Sequence, residues 1–188
     1  MTSSDAVSTS TIANAEAFAD TLKRAIRDVP DFPQPGIMFR DISTLLADPA
    51  LFHQTIDAMA APFTQIDKVV IIESRGFILG TPIAYAMGAG VVPVRKPGRL
   101  PAATFSADYT LEYGTNALEI HQDAIAPGER ILIVDDLLAT GGTINATVSL
   151  VHRLQGEIVG IAVLAELSAL DGRKAIPAGI PVHSLIAY

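Results

Sequence analysis

The chain has 188 residues, of which 49% are hydrophobic, and it carries a formal net charge of −7. This length fits one domain with a sizeable core, and an acidic protein is a poor ligand for nucleic acid or an anionic membrane. The sequence has no cysteine and no apolar run of bilayer-spanning length, and its four histidines are too scattered for a metal motif. We therefore expect a cytoplasmic protein with no nucleic-acid partner, no membrane partner and no metal held by the protein alone.

The first fifty residues predict a tail, two helix starts and an irregular loop. Residues 1–13 are small and polar, which favours a mobile tail before a single domain over residues 14–188. Asn14 is a candidate N-cap for an amphipathic helix that Val29-Pro30 ends. Two prolines and a glycine make residues 31–41 an irregular segment, and Asp48-Pro49 is typical of the start of a second helix.

Two strand-like runs in the middle of the chain are each followed by positively charged residues. Residues 68–73 predict a buried strand, and Arg75 follows it in a loop before a helical stretch over residues 77–87. Arg75 fits either a structural ion pair or contact with a phosphate. Residues 90–94 predict the next strand, and the loop after it is either a solvated charged loop or a site that neutralises an anion. The cations of this basic loop are Arg95, Lys96 and Arg99.

Residues 101–121 form a long segment without an obvious amphipathic face, which is typical of a lid. The residues on either side of Gly114 favour an antiparallel flap that turns there. Glu112 lies in this flap, and by residue type alone it would be an exposed strand carboxylate.

Residues 131–134, Ile-Leu-Ile-Val, predict a central strand that is buried on both faces of a parallel sheet. Asp135 and Asp136 follow at its carboxyl end, and a helical pattern begins at Ile144. The turn between them, called the phosphate loop below, consists of Ala139, Thr140, Gly141, Gly142 and Thr143. Its glycine amides, its hydroxyls and the first N–H groups of the helix favour a bound phosphate. Since the carboxylates would repel a phosphate, they need sugar hydroxyls or a hydrated magnesium ion, and a sugar phosphate suits the whole site.

Further strand-like runs at residues 158–164 and 182–188 complete an alternation of strands and helices. We predict a three-layer α/β domain with a central mostly parallel sheet flanked by helices. A small N-terminal hood at about residues 31–41 and a flexible flap at about residues 101–121 are added to this domain.

The run Val-Asp-Asp-Leu-Leu-Ala-Thr-Gly-Gly-Thr at residues 134–143 resembles the phosphoribosyl pyrophosphate signature of type I phosphoribosyltransferases, in the form seen in adenine phosphoribosyltransferases. The resemblance extends over residues 31–188. It implies the type I phosphoribosyltransferase fold and transfer of the 5-phosphoribosyl group of phosphoribosyl pyrophosphate to adenine, giving AMP and pyrophosphate. It also implies a homodimer, and Mg²⁺ bound mainly through substrate oxygens and water.

The same resemblance implies roles for individual residues. Asp135 and Asp136 hold the ribose hydroxyls and act in catalysis, Glu112 acts in proton transfer at the purine, and the phosphate loop holds the 5′-phosphate. The pyrophosphate-binding residues are Arg75, Arg95, Lys96 and Arg99. The base-binding residues are Met38, Phe39, Arg40 and Leu138, although residue type alone places Phe39 in the core. A cis peptide bond is implied at Glu73-Ser74.

Two alternatives stay open at this point. Transferases for guanine, xanthine or orotate share the phosphate loop, and the hood segment is what discriminates among them. A regulatory protein on the same fold would sense a nucleotide while binding nucleic acid, but the acidic charge and the lack of a basic helix disfavour it.

Overall fold

The computed structural model describes the backbone of residues 3–111 and 114–188 and the side chains of residues 14–109 and 116–188. The chain divides into two compact units, Met1–Thr55 and Ile56–Tyr188. The single domain over residues 14–188 stays a prediction. Within the described residues, no helix combines the length and the apolar character that crossing a membrane requires.

The N-terminal unit contains, in chain order, α1 (Ser3–Ala25), β1 (Arg27–Pro30), β2 (Met38–Asp41), α2 (Ser43–Leu46) and the first part of α3 (Pro49–Ala60). Helix α1 begins before Asn14, so the prediction that Asn14 caps it is wrong. Residues 3–13 contain neither glycine nor proline, and nothing in their composition stops a helix from extending through them. The predicted mobility of residues 1–13 stays a prediction. Asp48 does cap α3, since its Oδ1 accepts the N–H groups of Ala50 at 2.9 Å and Leu51 at 3.0 Å.

The hood, predicted as an irregular segment, is part of a β-hairpin. Strands β1 and β2 pair antiparallel, with Arg27 opposite Asp41 and Asp28 opposite Arg40. Both pairs form ion pairs, and hydrogen bonds from Ser43 and Arg27 lower the pKa of Asp41 to about 2. The prediction of a wholly irregular segment is therefore wrong, because cross-strand charge pairs favour a sheet register that the proline and glycine content did not reveal.

The C-terminal unit is built on a five-stranded sheet. After α3 its elements are β3 (Lys68–Ile72), α4 (Arg75–Met87), β4 (Gly90–Val94), β5 (Thr104–Leu111), β6 (Gly114–His121), β7 (Arg130–Leu138), α5 (Gly142–Arg153), β8 (Glu157–Glu166) and β9 (Val182–Ala187), with short 3-10 turns at Ser168–Leu170 and Gly172–Ala175. The strand order is β4-β3-β7-β8-β9, and every neighbouring pair is parallel. The predicted α/β fold with a mostly parallel central sheet is confirmed.

Helices α4 and α5 cover opposite faces of this sheet. Gly80 of α4 lies against Ile71 of β3 and Val134 of β7, whereas Val70 and Ile133 share a core with α5. Because successive side chains of a strand point to opposite faces, the two helices must lie on different sides. Burial on both sides explains the unbroken apolar run at the start of β7.

Strands β5 and β6 form a separate antiparallel hairpin, as predicted for the flap. The register places Leu111 opposite Gly114, so the chain reverses next to the predicted turn residue. Near the open end of the hairpin, the guanidinium carbon of Arg153 lies 3.9 Å from the centre of the Phe105 ring. Helix α5 therefore begins at the phosphate loop and ends against the flap.

Candidate active site

Asp135 and Asp136 lie within β7 rather than after it, because the strand continues to Leu138. They are buried, with exposed fractions of 8% and 7%. The N–H of Asp136 donates to Oδ1 of Asp135 at 2.9 Å. Burial, and then the neighbouring Asp136 carboxylate, raise the pKa of Asp135 well above its usual range. Two adjacent buried carboxyls therefore resist being charged at the same time unless a cation lies beside them.

Arg75, the first residue of α4, supplies such a cation. Its Nη2 lies 2.9 Å from Oδ2 of Asp136. Burial raises the pKa of Asp136, and Arg75 opposes that rise. The helix comes this close because residue 76 is glycine, and a Cβ there would lie 3.0 Å from Oδ1 of Asp135. The Glu73-Ser74 peptide bond that precedes α4 is cis, as predicted.

The phosphate loop joins β7 to α5 and lines a small cavity of about 50 Å³. Gly141 has a φ of +83°, a conformation that residues with a Cβ rarely adopt. The N–H of Asn145 donates to the carbonyl of Gly141 at 2.9 Å and makes the first bond of the helix. The amides of residues 142–144 precede it and have no acceptor within the helix, so they are available to an anion together with the positive end of the helix dipole.

The phosphate loop packs on the 3-10 turn Gly172–Ala175. A Cβ at Gly141 would overlap the carbonyl oxygen of Gly172, and a Cβ at Gly172 would overlap the carbonyl oxygen of Ala139. Two stretches of main chain thus touch without a side chain between them. The shape of the phosphate loop is set partly by this neighbour.

Arg95, in the basic loop after β4, is held by Glu73. Its Nε lies 3.3 Å from Oε2 and its Nη2 lies 3.1 Å from Oε1 of that carboxylate. The N–H of Lys96 donates to Oε2 as well, at 3.1 Å. The hydrogen bonds from Arg95 lower the pKa of Glu73. Glu73 is therefore ionised at neutral pH, and its carboxylate offsets part of the positive charge of the basic loop.

Glu119 of β6 fixes the rest of the basic loop. Its main chain exchanges two hydrogen bonds with Arg95, of 3.0 Å and 2.7 Å, and its Oε2 accepts the N–H of Gly98 at 3.0 Å. The Nη1 of Arg95 donates to the carbonyl of Arg99 at 3.1 Å. Lys96 and Arg99 are exposed. The basic loop thus combines one cation in a charge pair with two cations at the surface.

Residues 42–178 match the phosphoribosyl transferase domain. Over 171 residues the chain is 57% identical to the adenine phosphoribosyltransferase of Trichlorobacter lovleyi, and the alignment covers 90% of this chain and 99% of that protein. The chain belongs to the adenine phosphoribosyltransferase family.

Solved structures of adenine phosphoribosyltransferases agree with this assignment. The enzyme from Rhodothermus marinus is 54% identical, with a TM-score of 0.89, and the match covers 92% of this chain and 99% of that one. The enzyme from Saccharomyces cerevisiae, complexed with D-2,5-dideoxy-2,5-imino-altritol 1,6-bisphosphate and adenine, is 40% identical, with a TM-score of 0.85 and coverage of 90% and 99%.

The family resemblance assigns roles in the site to several residues. Among them, the structure brings Arg75 into contact with the acidic pair, and the phosphate loop follows that pair in the chain. Arg95 is engaged by Glu73. Glu112 lies outside the described residues, so its predicted role in proton transfer stays a prediction.

The predicted base-binding residues fall in both units. In the N-terminal unit, the ring of Phe39 packs edge to face on Phe32, with centroids 5.0 Å apart, and Met38 is 49% exposed. Arg40 is ion-paired with Asp28. In the C-terminal unit, Leu138 is fully buried in the core. Contact of these residues with a base stays a prediction.

Sequence reasoning missed the residues that hold the phosphoribosyltransferase site in place. The sequence predicts Glu73 only as the end of a strand and Glu119 only as part of the flap, and it gives Gly172 no role in the site. Their partners are distant in sequence, since Glu73 and Arg95 are 22 residues apart. No spacing motif could have revealed them, because side chains on different strands do not follow a common period.

Proposed function

We propose that the chain transfers the 5-phosphoribosyl group of phosphoribosyl pyrophosphate to adenine and releases AMP and pyrophosphate. The observation that carries this proposal is the anion-binding phosphate loop directly after a buried acidic pair that is in contact with Arg75. Membership in the adenine phosphoribosyltransferase family supports adenine as the acceptor. Transferases for other bases, and a nucleotide-sensing regulator, have no comparable support.

The phosphate loop would bind the 5′-phosphate through the amides at the start of α5 and the hydroxyls of Thr140 and Thr143. Each hydrogen bond to a charged group contributes about 1.5–3 kcal/mol, whereas the helix dipole adds only about 0.3–1 kcal/mol. Amides and hydroxyls would therefore supply most of the phosphate affinity.

Asp135 and Asp136 would hold the ribose hydroxyls with unequal charge. Arg75 favours the ionised form of Asp136, while burial and its neighbour favour the protonated form of Asp135. As the leaving group departs, positive charge develops on the sugar ring. That charge attracts the Asp136 carboxylate, and Asp135 where it is ionised, more strongly than the ground state does, which lowers the barrier.

Arg75 and the basic loop would hold pyrophosphate, with Lys96 and Arg99 supplying exposed cations. Among the described residues, no three His, Asp or Glu side chains cluster so as to hold a metal ion. A magnesium ion would therefore be bound mainly by substrate oxygens and water, near Asp135 and Asp136, and would offset negative charge on the leaving pyrophosphate.

Closure of the flap would exclude water, which otherwise competes with adenine for the sugar. Glu112 would accept the purine proton, and Met38, Phe39, Arg40 and Leu138 would recognise the base. A homodimer and a cytoplasmic location are part of this proposal; the family resemblance supports the first, and the acidic, cysteine-free composition supports the second.

The test is a steady-state assay with phosphoribosyl pyrophosphate, magnesium and each nucleobase in turn. We expect AMP from adenine and little product from guanine, hypoxanthine, xanthine or orotate. Absence of AMP would overturn the proposal, and equal rates with another base would overturn the specificity for adenine.

A further inference from the structure

The 3-10 turn that supports the phosphate loop has little structure of its own. It spans only four residues, Gly172–Ala175. Two backbone hydrogen bonds stabilise it, from Lys174 N–H to Asp171 O at 2.9 Å and from Ile176 N–H to Arg173 O at 3.1 Å. Such a short turn does not hold its position alone, so contacts with the sheet must place it.

Arg173 makes those contacts with two strands. Its Nε lies 2.9 Å from both carboxylate oxygens of Glu166 at the end of β8, and its Nη2 lies 2.7 Å from Oε2. On β9, Nη1 donates to the carbonyl of Val182 at 3.0 Å and Nη2 donates to Oγ of Ser184 at 3.2 Å. We call these four residues the Arg173 network.

The Arg173 network is closed and charged. The hydroxyl of Ser184 also donates to Oε2 of Glu166, at 3.1 Å, so Arg173 and Ser184 both donate to one carboxylate. Hydrogen bonds from Arg173 lower the pKa of Glu166, whose side chain is only 13% exposed. A planar guanidinium with five N–H donors can satisfy this set of acceptors, whereas the ammonium of lysine cannot reach them all.

The residue next to Arg173 is the one that touches the phosphate loop. Gly172 lies so close to Gly141 and Ala139 that a Cβ on either glycine would overlap main chain on the other side. A shift of Arg173 by a few tenths of an ångström would therefore move the main chain of Gly172, against which the phosphate loop is packed. The amides that would bind a phosphate are in that loop.

We propose that Arg173, held by Glu166 and Ser184, is a positioning residue that sets the geometry of the phosphate loop for a sugar 5′-phosphate. The proposal deepens the proposed function, on which it rests for the identity of the ligand. Arg173 does not touch substrate; it acts through Gly172. Loss of the network should weaken phosphate binding equally in the ground state and the transition state, which raises KM and leaves kcat nearly unchanged.

The purely structural alternative makes a different forecast. If Arg173 only ties the turn to the sheet, its loss would lower thermal stability and leave the folded protein with normal affinity for all ligands. A stability measurement therefore cannot distinguish the positioning role from the purely structural one. A measurement that determines the affinities for the sugar phosphate and for the base separately can.

The experiment compares Arg173→Gln, which removes the charge, with Arg173→Lys, which keeps it. Lys174→Gln is the matched control, because Lys174 lies in the same turn and its ammonium forms an ion pair with the exposed Asp171. Binding of ribose 5-phosphate is measured by titration calorimetry. KM and kcat are measured for phosphoribosyl pyrophosphate and for adenine.

For Arg173→Gln we expect ribose 5-phosphate to bind about tenfold more weakly, the loss of roughly one charge-assisted hydrogen bond. KM for phosphoribosyl pyrophosphate should rise by a similar factor, with kcat and KM for adenine within about twofold of wild type. Arg173→Lys should recover part of the affinity, and Lys174→Gln should behave as wild type. Unchanged affinity for ribose 5-phosphate, or an equal loss for adenine, would overturn the proposal.

Should Arg173→Gln fail to fold, Glu166→Gln decides by the same measurements, since it keeps the shape of the acceptor and removes its charge. Failure of the proposed function looks different. In that case the wild-type protein forms no AMP, while loss of ribose 5-phosphate binding in Arg173→Gln still supports the positioning role.

Discussion

Arg75 and Asp136 form an ion pair with 2.9 Å between Nη2 and Oδ2, and it joins the first residue of α4 to the acidic pair of β7. The two residues belong to different halves of the proposed reaction, pyrophosphate for Arg75 and ribose for Asp136. Their contact means that binding at one half changes the charge balance at the other.

Arg75→Gln should shift the acid limb of kcat/KM to higher pH. Asp136 has a pKa raised by burial, and Arg75 opposes that rise, so removal of Arg75 raises it further. Affinity for pyrophosphate should also fall, by roughly tenfold. Rate profiles against pH and product inhibition by pyrophosphate measure the two effects. Arg130→Gln, at the opposite end of β7, is the control, and an unshifted acid limb would contradict the coupling.

Asp135→Asn should make the protein more stable at neutral pH while slowing the reaction by roughly 100-fold. The pKa of Asp135 in the folded state is raised from 3.8. The protonated carboxyl therefore contributes its full stabilisation below pH 3.8, and this stabilisation is lost as the pH rises through the pKa of the folded state. Asparagine stays neutral and keeps an oxygen for the Asp136 N–H, so the stability of the variant relative to the wild type should increase with pH. Thermal unfolding at several pH values measures this, with the exposed Asp123→Asn as control; a variant less stable than wild type at pH 8 would refute the assignment.

Glu73→Gln should tighten pyrophosphate binding by roughly fivefold, which corresponds to ~1 kcal/mol of added Coulomb attraction. The reason is that Glu73 offsets the charge of Arg95, with Nη2 and Oε1 3.1 Å apart. The inhibition constant of pyrophosphate measures the effect. Glu129→Gln is a matched control, because it breaks a similar ion pair, with Lys68 at 2.8 Å. Equal or weaker inhibition in Glu73→Gln would show that the carboxylate does not compete with the ligand.

Gly80→Ala should lower the free energy of unfolding by about 1–3 kcal/mol. A Cβ at this position would overlap Cγ2 of Ile71 and lie 3.2 Å from Cβ of Val134, so α4 would have to move away from the sheet. Urea denaturation measures the loss. Thr81→Ala, at the exposed neighbouring position, should change stability by less than about 0.5 kcal/mol. A stable Gly80→Ala protein would mean that α4 does not pack as described.

The central part of the site could be predicted from the sequence because its signals are local. An apolar run, two carboxylates, two glycines and a helical pattern follow one another within residues 131–154, and the structure keeps that order in β7, the phosphate loop and α5. The N-cap at Asp48 and the flap hairpin were predictable for the same reason.

The charge partners could not be predicted because they come from separate elements. Glu73 follows β3 and Arg95 follows β4, so the pairing of these two strands brings them together. Glu166 is the last residue of β8, and Arg173 reaches it from the 3-10 turn that comes later in the chain. The extension of α1 to Ser3 could not be predicted because a small, polar composition favours mobility, although residues 3–13 contain no helix breaker.

The contact between Gly141 and Gly172 also constrains how the protein can evolve. In most packed pairs a larger residue on one side is tolerated when its neighbour becomes smaller. Here each position already holds the smallest residue, and the atom nearest to an added Cβ is a main-chain carbonyl oxygen, so no substitution of a neighbouring residue relieves the overlap. Mutational drift at either position must be accompanied by an insertion, a deletion or a rebuilt loop, and we expect the two glycines to be retained or lost together.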